Sequence, residues 1–286
     1  MRTDGLFTVH GVEVRNWRSS RTLKLIPFGD VHRDSPSHAD GHWSKFLAYA
    51  KSPACKDALF LGMGDYTDSF STSERMVVYH GARHESTSKR QEKEERGRIE
   101  LLHKELSFMK GKLVGLLGGN HFMQFANGST GDMLLAEMLE TQYLGVCSAI
   151  RITFTFGNKS SRACVDIFAH HGRGAGQTAG GKFNAVERLL NVCDCDIALM
   201  GDNHARGCFP AGSRLYLAHG NGRLCIRSKA RWIGRTGSFL KSYEDGERNY
   251  VVDGALSPAN LGWIEFQLTP FHEHGKGTGI EICAKQ

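Results

Sequence analysis

Five short apolar runs in this sequence each end in a turn that carries glycine together with Asp, Asn or His. Leu23 to Phe28 leads into Gly29-Asp30, Ala58 to Met63 into Gly64-Asp65, and Leu113 to Leu117 into Gly118-Gly119-Asn120. Val165 to Ala169 leads into His170-His171-Gly172, and Ile197 to Met200 into Gly201-Asp202. Runs this short, apolar at both odd and even positions, predict strands covered on both faces. Helical spacing lies between them, at His42 to Lys51, Lys89 to Lys110, Gly131 to Glu140 and Gly181 to Val192. Strands alternating with helices predict a layered α/β fold. The 286 residues and their 40% hydrophobic content suit a single domain over 1–286 with one core. Within it, 69–98 is polar and reads as a helical insertion or lid, and 205–286 reads as a β-rich region of short strands.

Composition narrows the setting. No apolar stretch has the length of a membrane span. Met1 to Gly5 lacks the apolar core of a signal peptide, so a cytoplasmic protein without a membrane partner is expected. The eight cysteines include no CxxC pair and are expected to be reduced. Net charge is +6, and its distribution matters more: no Asp or Glu occurs between Asn203 and Tyr243. The alternation from Cys225 to Trp232 places Arg227, Lys229 and Arg231 on one strand face, a row that suits an anionic partner.

The turns carry the chemistry. Side chains at the carboxyl ends of adjacent strands converge on one crevice. The first turn offers Asp30 and His32, the second Asp65 and Asp68, and the third Asn120 and His121. The fourth offers His170 and His171, and the fifth Asp202 and His204. After the fourth, Gly172-Arg173-Gly174-Ala175-Gly176 could bring backbone amides and Arg173 to a phosphate, although it lacks the Lys-Ser/Thr ending of a Walker A loop.

In this order the motifs Asp-Val-His, Gly-Asp-Tyr-Thr-Asp, Gly-Asn-His, a histidine after a strand, and Gly-Asp-Asn-His resemble those of the calcineurin-like metallophosphoesterases. The resemblance implies a layered β-sandwich flanked by helices and a site for two divalent ions. It implies that Asp30, His32, Asp65 and His204 hold one ion, and that Asp65, Asn120 and the strand-following His170, preferred over His171, hold the other. It further implies that His121 gives a proton to the leaving oxygen and that Asp68 orients it. The chain departs from the family at Asp202, where a histidine is usual. A carboxylate there hardens the second site, so Mn2+ is expected first, ahead of Mg2+, Fe or Zn2+. Ser69-Phe70 and Phe122 replace residues that mark the protein Ser/Thr phosphatases.

The expected activity is metal-dependent hydrolysis of a phosphate ester, foremost a phosphodiester in DNA, RNA or a nucleotide, with Arg173, Arg227, Lys229 and Arg231 as substrate contacts. A small-molecule phosphomonoesterase is the alternative, and a metal-poor scaffold is the alternative outside catalysis. Gly237-Ser238-Phe239 and Leu261-Gly262-Trp263 loosely resemble segments of uncharacterised phage and prophage members.

Overall fold

The computed structural model describes residues 9–286 apart from 16, 19–20, 72, 76, 78–83, 158–161, 173–175, 177, 221–222, 247–249, 256 and 274–276. Strands β1 (Val9–Val14), β5 (Cys147–Thr155), β6 (Arg162–His170), β7 (Ile197–Met200), β9 (Arg223–Thr236) and β8 (Arg206–Gly220) lie side by side in that order. A second sheet runs β11 (Gly277–Lys285), β10 (Glu265–Glu273), β2 (Leu23–Phe28), β3 (Ala58–Gly62) and β4 (Leu113–Leu116). Within each sheet the strands that lead into the five turns run parallel to one another: β2 with β3, β3 with β4, and β6 with β7.

The continuous apolar character of β2 has a direct cause. Leu23 and Leu25 join an apolar layer that also takes Ile150, Ile152, Val165 and Ile197 from the other sheet. Ile26 and Phe28 point the opposite way, onto helices α1 (Asp40–Lys51), α2 (Glu85–Leu106) and α3 (Gly131–Met138), through Trp43, Phe46, Ile99, Leu102 and Leu135. The outer face of the six-stranded sheet is covered by α4 (Ala179–Glu187) and α5 (Leu189–Val192), where Val186, Leu189 and Leu190 meet Phe168, Ala198 and Ile233. The two sheets therefore pack on each other with helices against their outer faces, a mixed α/β arrangement, and β2, β3 and β7 are sealed on both faces.

Two segments gain detail from the structure. Helix α2 begins at Glu85, inside the segment read as an insertion, and its Glu95 is buried, accepting a hydrogen bond from Thr67 Oγ1 at 2.9 Å. The carboxyl-terminal half of 69–98 is thus tied to the second turn, and much of its amino-terminal half lies outside the described residues. After residue 205 the strands are long: β8 and β9 form one antiparallel hairpin whose register shifts between Pro210 and Ser213. Pro210 and Gly212 bend this ribbon instead of ending it.

The register also moves the basic row. β9 runs parallel to β7, with Trp232 opposite Ile197 and Arg235 opposite Met200. Arg227, Lys229 and Arg231 precede that overlap, so they lie past the amino end of β7, whereas the fifth turn follows its carboxyl end. Lys229 pairs with Asp196 at 2.5 Å, and Arg214 pairs with Asp194. The row is intact on one strand face, but it lines a separate groove of about 880 Å³ at the other end of the sheet from the crevice. The row therefore lies away from the five turns. No two of the eight cysteines are joined, and no helix among the described residues is long and apolar enough to cross a membrane.

Candidate metal centre

The turns are locked to one another by main-chain hydrogen bonds. The amides of Asp30, Val31 and His32 donate to the carbonyls of Gly64, Asp65 and Asp65, at 2.9, 2.7 and 3.0 Å. The Asp202 amide donates to both Asp30 carboxylate oxygens, at 3.0 and 3.1 Å, and the His121 amide donates to Asp65 Oδ1 at 2.9 Å. Gly119 packs so closely behind Asp65 that a Cβ on it would stand 1.9 Å from Asp65 Oδ1. Gly64 has φ +99°, and a Cβ there would stand 2.5 Å from His171 Nδ1. Seven non-glycine residues among those described have positive φ, and five are Asp30, His32, Asp65, Asp202 and His204. Such backbone is costly for a residue with a Cβ, and it gathers where a fold aims side chains at a ligand.

Those side chains meet around Asp65. His32 Nε2 lies 3.8 Å from Asp65 Oδ2, and His171 Nε2 lies 3.4 Å from the same oxygen and 3.9 Å from Asp202 Oδ1. His204 Nε2 is 3.8 Å from Asp30 Oδ1, and Asn120 Nδ2 donates to Asp202 Oδ1 at 2.7 Å. Donor atoms of Asp30, His32 and His204 form one compact group, and those of Asp30, Asp65 and His171 form another. The imidazoles are aimed by their second nitrogens: His32 Nδ1 is 3.0 Å from Asp68 Oδ1, and His171 Nδ1 is 2.7 Å from the Met63 carbonyl. With Nδ1 donating in each, Nε2 presents a lone pair to the crevice, the arrangement a metal-binding histidine takes.

Four buried atoms here have no hydrogen-bond partner: His32 Nε2, His171 Nε2, Asn120 Oδ1 and Asp202 Oδ2. A buried polar atom without a partner is costly, and all four are atoms that can donate a lone pair to a cation. The residues present therefore fit bound metal.

The fourth turn departs from expectation. His171, 1% exposed, is the histidine turned into the cluster. His170 is half-buried and points away, with Nδ1 accepting the Gly172 amide at 2.8 Å. The preference for His170 is corrected accordingly: it is the last residue of β6, and side chains alternate along a strand, so its neighbour takes the inward side. Arg173 and most of the glycine-rich segment after it lie outside the described residues.

Electrostatics follow from crowding carboxylates and imidazoles out of water. Burial pushes the Asp30 carboxyl up to about 7, against the pull of His171. Burial acts on Asp65 in the same sense, but His171, His32 and His121 together hold it well below the usual carboxylate range. Burial lowers His171, yet Asp65 and Asp30 push it up to about 10. His204 is driven down to about 3 by burial and by nearby His32, which keeps it a neutral, ligand-competent imidazole. The cluster is one that draws positive charge.

His121 stands at the edge of this group, a quarter exposed. Its Nδ1 lies 3.1 Å from the Ser69 carbonyl and 3.3 Å from Asp68 Oδ1. Burial opposes protonation, but Asp68, then Asp65, push His121 up to about 9. Asp68 thus touches both His32 and His121. The crevice of about 330 Å³ is completed by Ser35, Ser37, Leu240, Lys241 and Val251.

Three braces behind the site carry no motif. Arg75 Nη1 donates to the Asn120 carbonyl at 2.6 Å, with its guanidinium 3.8 Å from the Phe122 ring centre. Asp132 Oδ2 accepts the Gly119 amide at 2.9 Å. Arg235 donates to the Gly201 carbonyl at 2.5 Å. Each holds a main-chain group and not a motif side chain, which is why sequence spacing does not reveal them.

No family model and no curated protein matches the chain. Among solved structures it is similar to Vps29 of Chaetomium thermophilum, with 11% identity, TM-score 0.37, and 92% of this chain and 97% of that one covered. It is also similar to a conserved uncharacterised protein of Streptococcus pneumoniae TIGR4 described as a predicted phosphoesterase, with 11% identity, TM-score 0.30, and 93% and 99% covered. A third is wild-type Vps29 of Entamoeba histolytica complexed with Zn2+, with 13% identity, TM-score 0.32, and 92% and 99% covered. Overlaps this loose transfer no residue roles, and those assigned below rest on the side chains of this chain.

Proposed function

We propose that the crevice hydrolyses a phosphate ester, with one divalent cation held by Asp30, His32, Asp65 and His204 and a second by Asp65, Asn120, His171 and Asp202. The observation that carries this reading is the set of four unpartnered lone-pair atoms on residues gathered about Asp65, with His32 and His171 both turned to its carboxylate. Divalent ions there would supply Lewis acidity, lowering the pKa of water and drawing charge from the phosphoryl oxygens.

The remaining work falls to the chain itself. Asp68 fixes the Nδ1 side of His121, so Nε2 is the nitrogen left to hand a proton to the departing oxygen. With its pKa raised to about 9, His121 holds that proton at neutral pH. Asp68 also orients His32, so one carboxylate sets the proton donor and a ligand together. Lys241 is the single Lys or Arg among the described residues of the crevice wall, and it is paired with Glu244 at 2.6 Å. A monoester dianion would meet Asp68 and Asp202 with the protonated His121 as the main cationic relief from the protein. A diester carries one negative charge and a second organic group for Leu240 and Val251 to cover, so a small phosphodiester, such as that of a nucleotide, is the favoured substrate. The test is hydrolysis of bis-p-nitrophenyl phosphate beside p-nitrophenyl phosphate with Mn2+, Mg2+ or Zn2+ after EDTA stripping. Activity that survives EDTA, or none with any ion, refutes the reading.

A further inference from the structure

Arg235 is wholly buried, at 0% exposure. Its Nε donates to the Lys182 carbonyl of α4 at 2.9 Å, and its Nη1 donates to the Gly201 carbonyl at 2.5 Å. Its Nη2 has no hydrogen-bond partner, and no carboxylate lies within ion-pair distance among the described residues. A guanidinium stays charged in proteins, and removing one from water without a paired anion is costly. The register explains its place: β9 sets Arg235 beside Met200, the last residue of β7, directly beneath the fifth turn.

We propose that Arg235 is a positioning residue that counterbalances the carboxylates of the metal centre and holds the Gly201–His204 turn in place before ions bind. The inference rests on the metal-centre reading above. Gly201 is the hinge of that turn: its amide donates to the His171 carbonyl at 2.7 Å, and the next amide, of Asp202, donates to Asp30. Fixing the Gly201 carbonyl therefore fixes the peptide from which Asp202 hangs. The charge has a second effect. Asp30 and Asp65 are buried with half-buried Asp202 beside them, and the three carboxylates repel one another. A fixed cation below them offsets that repulsion, and its field reaches both Asp202 and Asp30. Once divalent ions occupy the centre the balance inverts, and the same guanidinium opposes them. The contribution of Arg235 to stability must then depend on ions, which a brace acting only through its hydrogen bonds would not show.

The test uses thermal unfolding of the full chain in EDTA and in saturating MnCl2. Arg235→Met removes the charge, while Arg235→Lys keeps a charge but cannot span both carbonyls. The Met variant is expected to lose more in Tm in EDTA than in Mn2+, by roughly 3–8 °C, and the Lys variant to lose the same in both. Equal losses for Met in the two conditions overturn the proposal. Should Arg235→Met fail to fold, Arg235→Gln, a neutral residue whose amide can still donate to the Gly201 carbonyl, decides by calorimetric Mn2+ titration: binding tighter than wild type by about 5–30-fold supports it, and unchanged or weaker binding overturns it. A wild-type chain that neither gains in Tm nor binds Mn2+ or Zn2+ calorimetrically refutes the metal centre itself, a result distinct from ion binding that ignores Arg235.

Discussion

The Asn120 amide donates to the Asp202 carboxylate across 2.7 Å, joining the third and fifth turns over 82 positions of sequence. The contact consumes one oxygen of Asp202 and leaves Oδ2 without a partner. It also leaves Asn120 Oδ1 unpartnered. Asp202→Ala is expected to lower calorimetric Mn2+ stoichiometry from two to one and to weaken the second site by more than the ~10–100-fold that loss of an outer partner costs. Two unaltered sites would remove Asp202 from the ligand shell.

His171→Ala is expected to lose the same second ion, whereas His170→Ala keeps both, because only His171 faces Asp65. Titration of the two variants side by side separates them, and the reverse ranking would contradict the geometry.

His121→Ala should keep both ions and lose rate, by roughly 10²–10⁴-fold on an alkyl phosphodiester. The loss should be smaller for a p-nitrophenyl ester, whose leaving group needs no proton. His121 acts in its protonated form, so wild-type activity should fall as pH rises through its pKa. Neighbouring carboxylates set that value at about 9, and bound cations pull it lower. An alkaline limb at or below about pH 9 that vanishes in the variant is the expected profile. Loss of metal in His121→Ala would place it among the ligands instead.

Asp132 gives a stability prediction independent of turnover. Burial pushes its carboxyl up to about 7 from an ordinary value of 3.8. The folded state holds this proton more tightly than the unfolded chain, so stability falls as pH rises between about 4 and about 7 and is level above. Asp132→Asn keeps an acceptor for the Gly119 amide and carries no charge. In EDTA it should gain on the order of 1–3 kcal/mol at pH 8 and less at pH 5. Denaturant titration at both pH values checks the sign.

The basic row gives the complementary expectation. Arg227, Lys229 and Arg231 line a groove away from the crevice, so their triple Ala variant should hydrolyse bis-p-nitrophenyl phosphate within about twofold of wild type. Loss of Lys229 strips the buried Asp196 carboxylate of its ion-pair partner and should cost roughly 1–3 kcal/mol of stability. A steep fall in turnover would return the row to the substrate path.

The sequence showed the parts of this molecule that depend on local pattern. β2 and β7 keep the predicted bounds because an apolar run sealed on both faces has nowhere else to stop. The paired side chains of the turns are legible because their residue types are rare in such positions without a ligand. The choice between His170 and His171 was not legible, since it depends on which way the last residue of β6 faces. Nor was the place of the basic row: alternation shows that three cations share a face, but only the pairing of β9 with β7 shows which end of the sheet they occupy. Arg75, Asp132 and Arg235 act on carbonyls and amides, and a main-chain partner leaves no trace in spacing.

The left-handed backbone at Asp30, His32, Asp65, Asp202 and His204 sets the chemistry of this chain against its own folding. Glycine would adopt each of those angles without a clash, so drift towards a more comfortable chain runs through these five positions. A descendant that kept the architecture and gave up the proposed reaction should betray itself there first, with glycine where a carboxylate or an imidazole stands now.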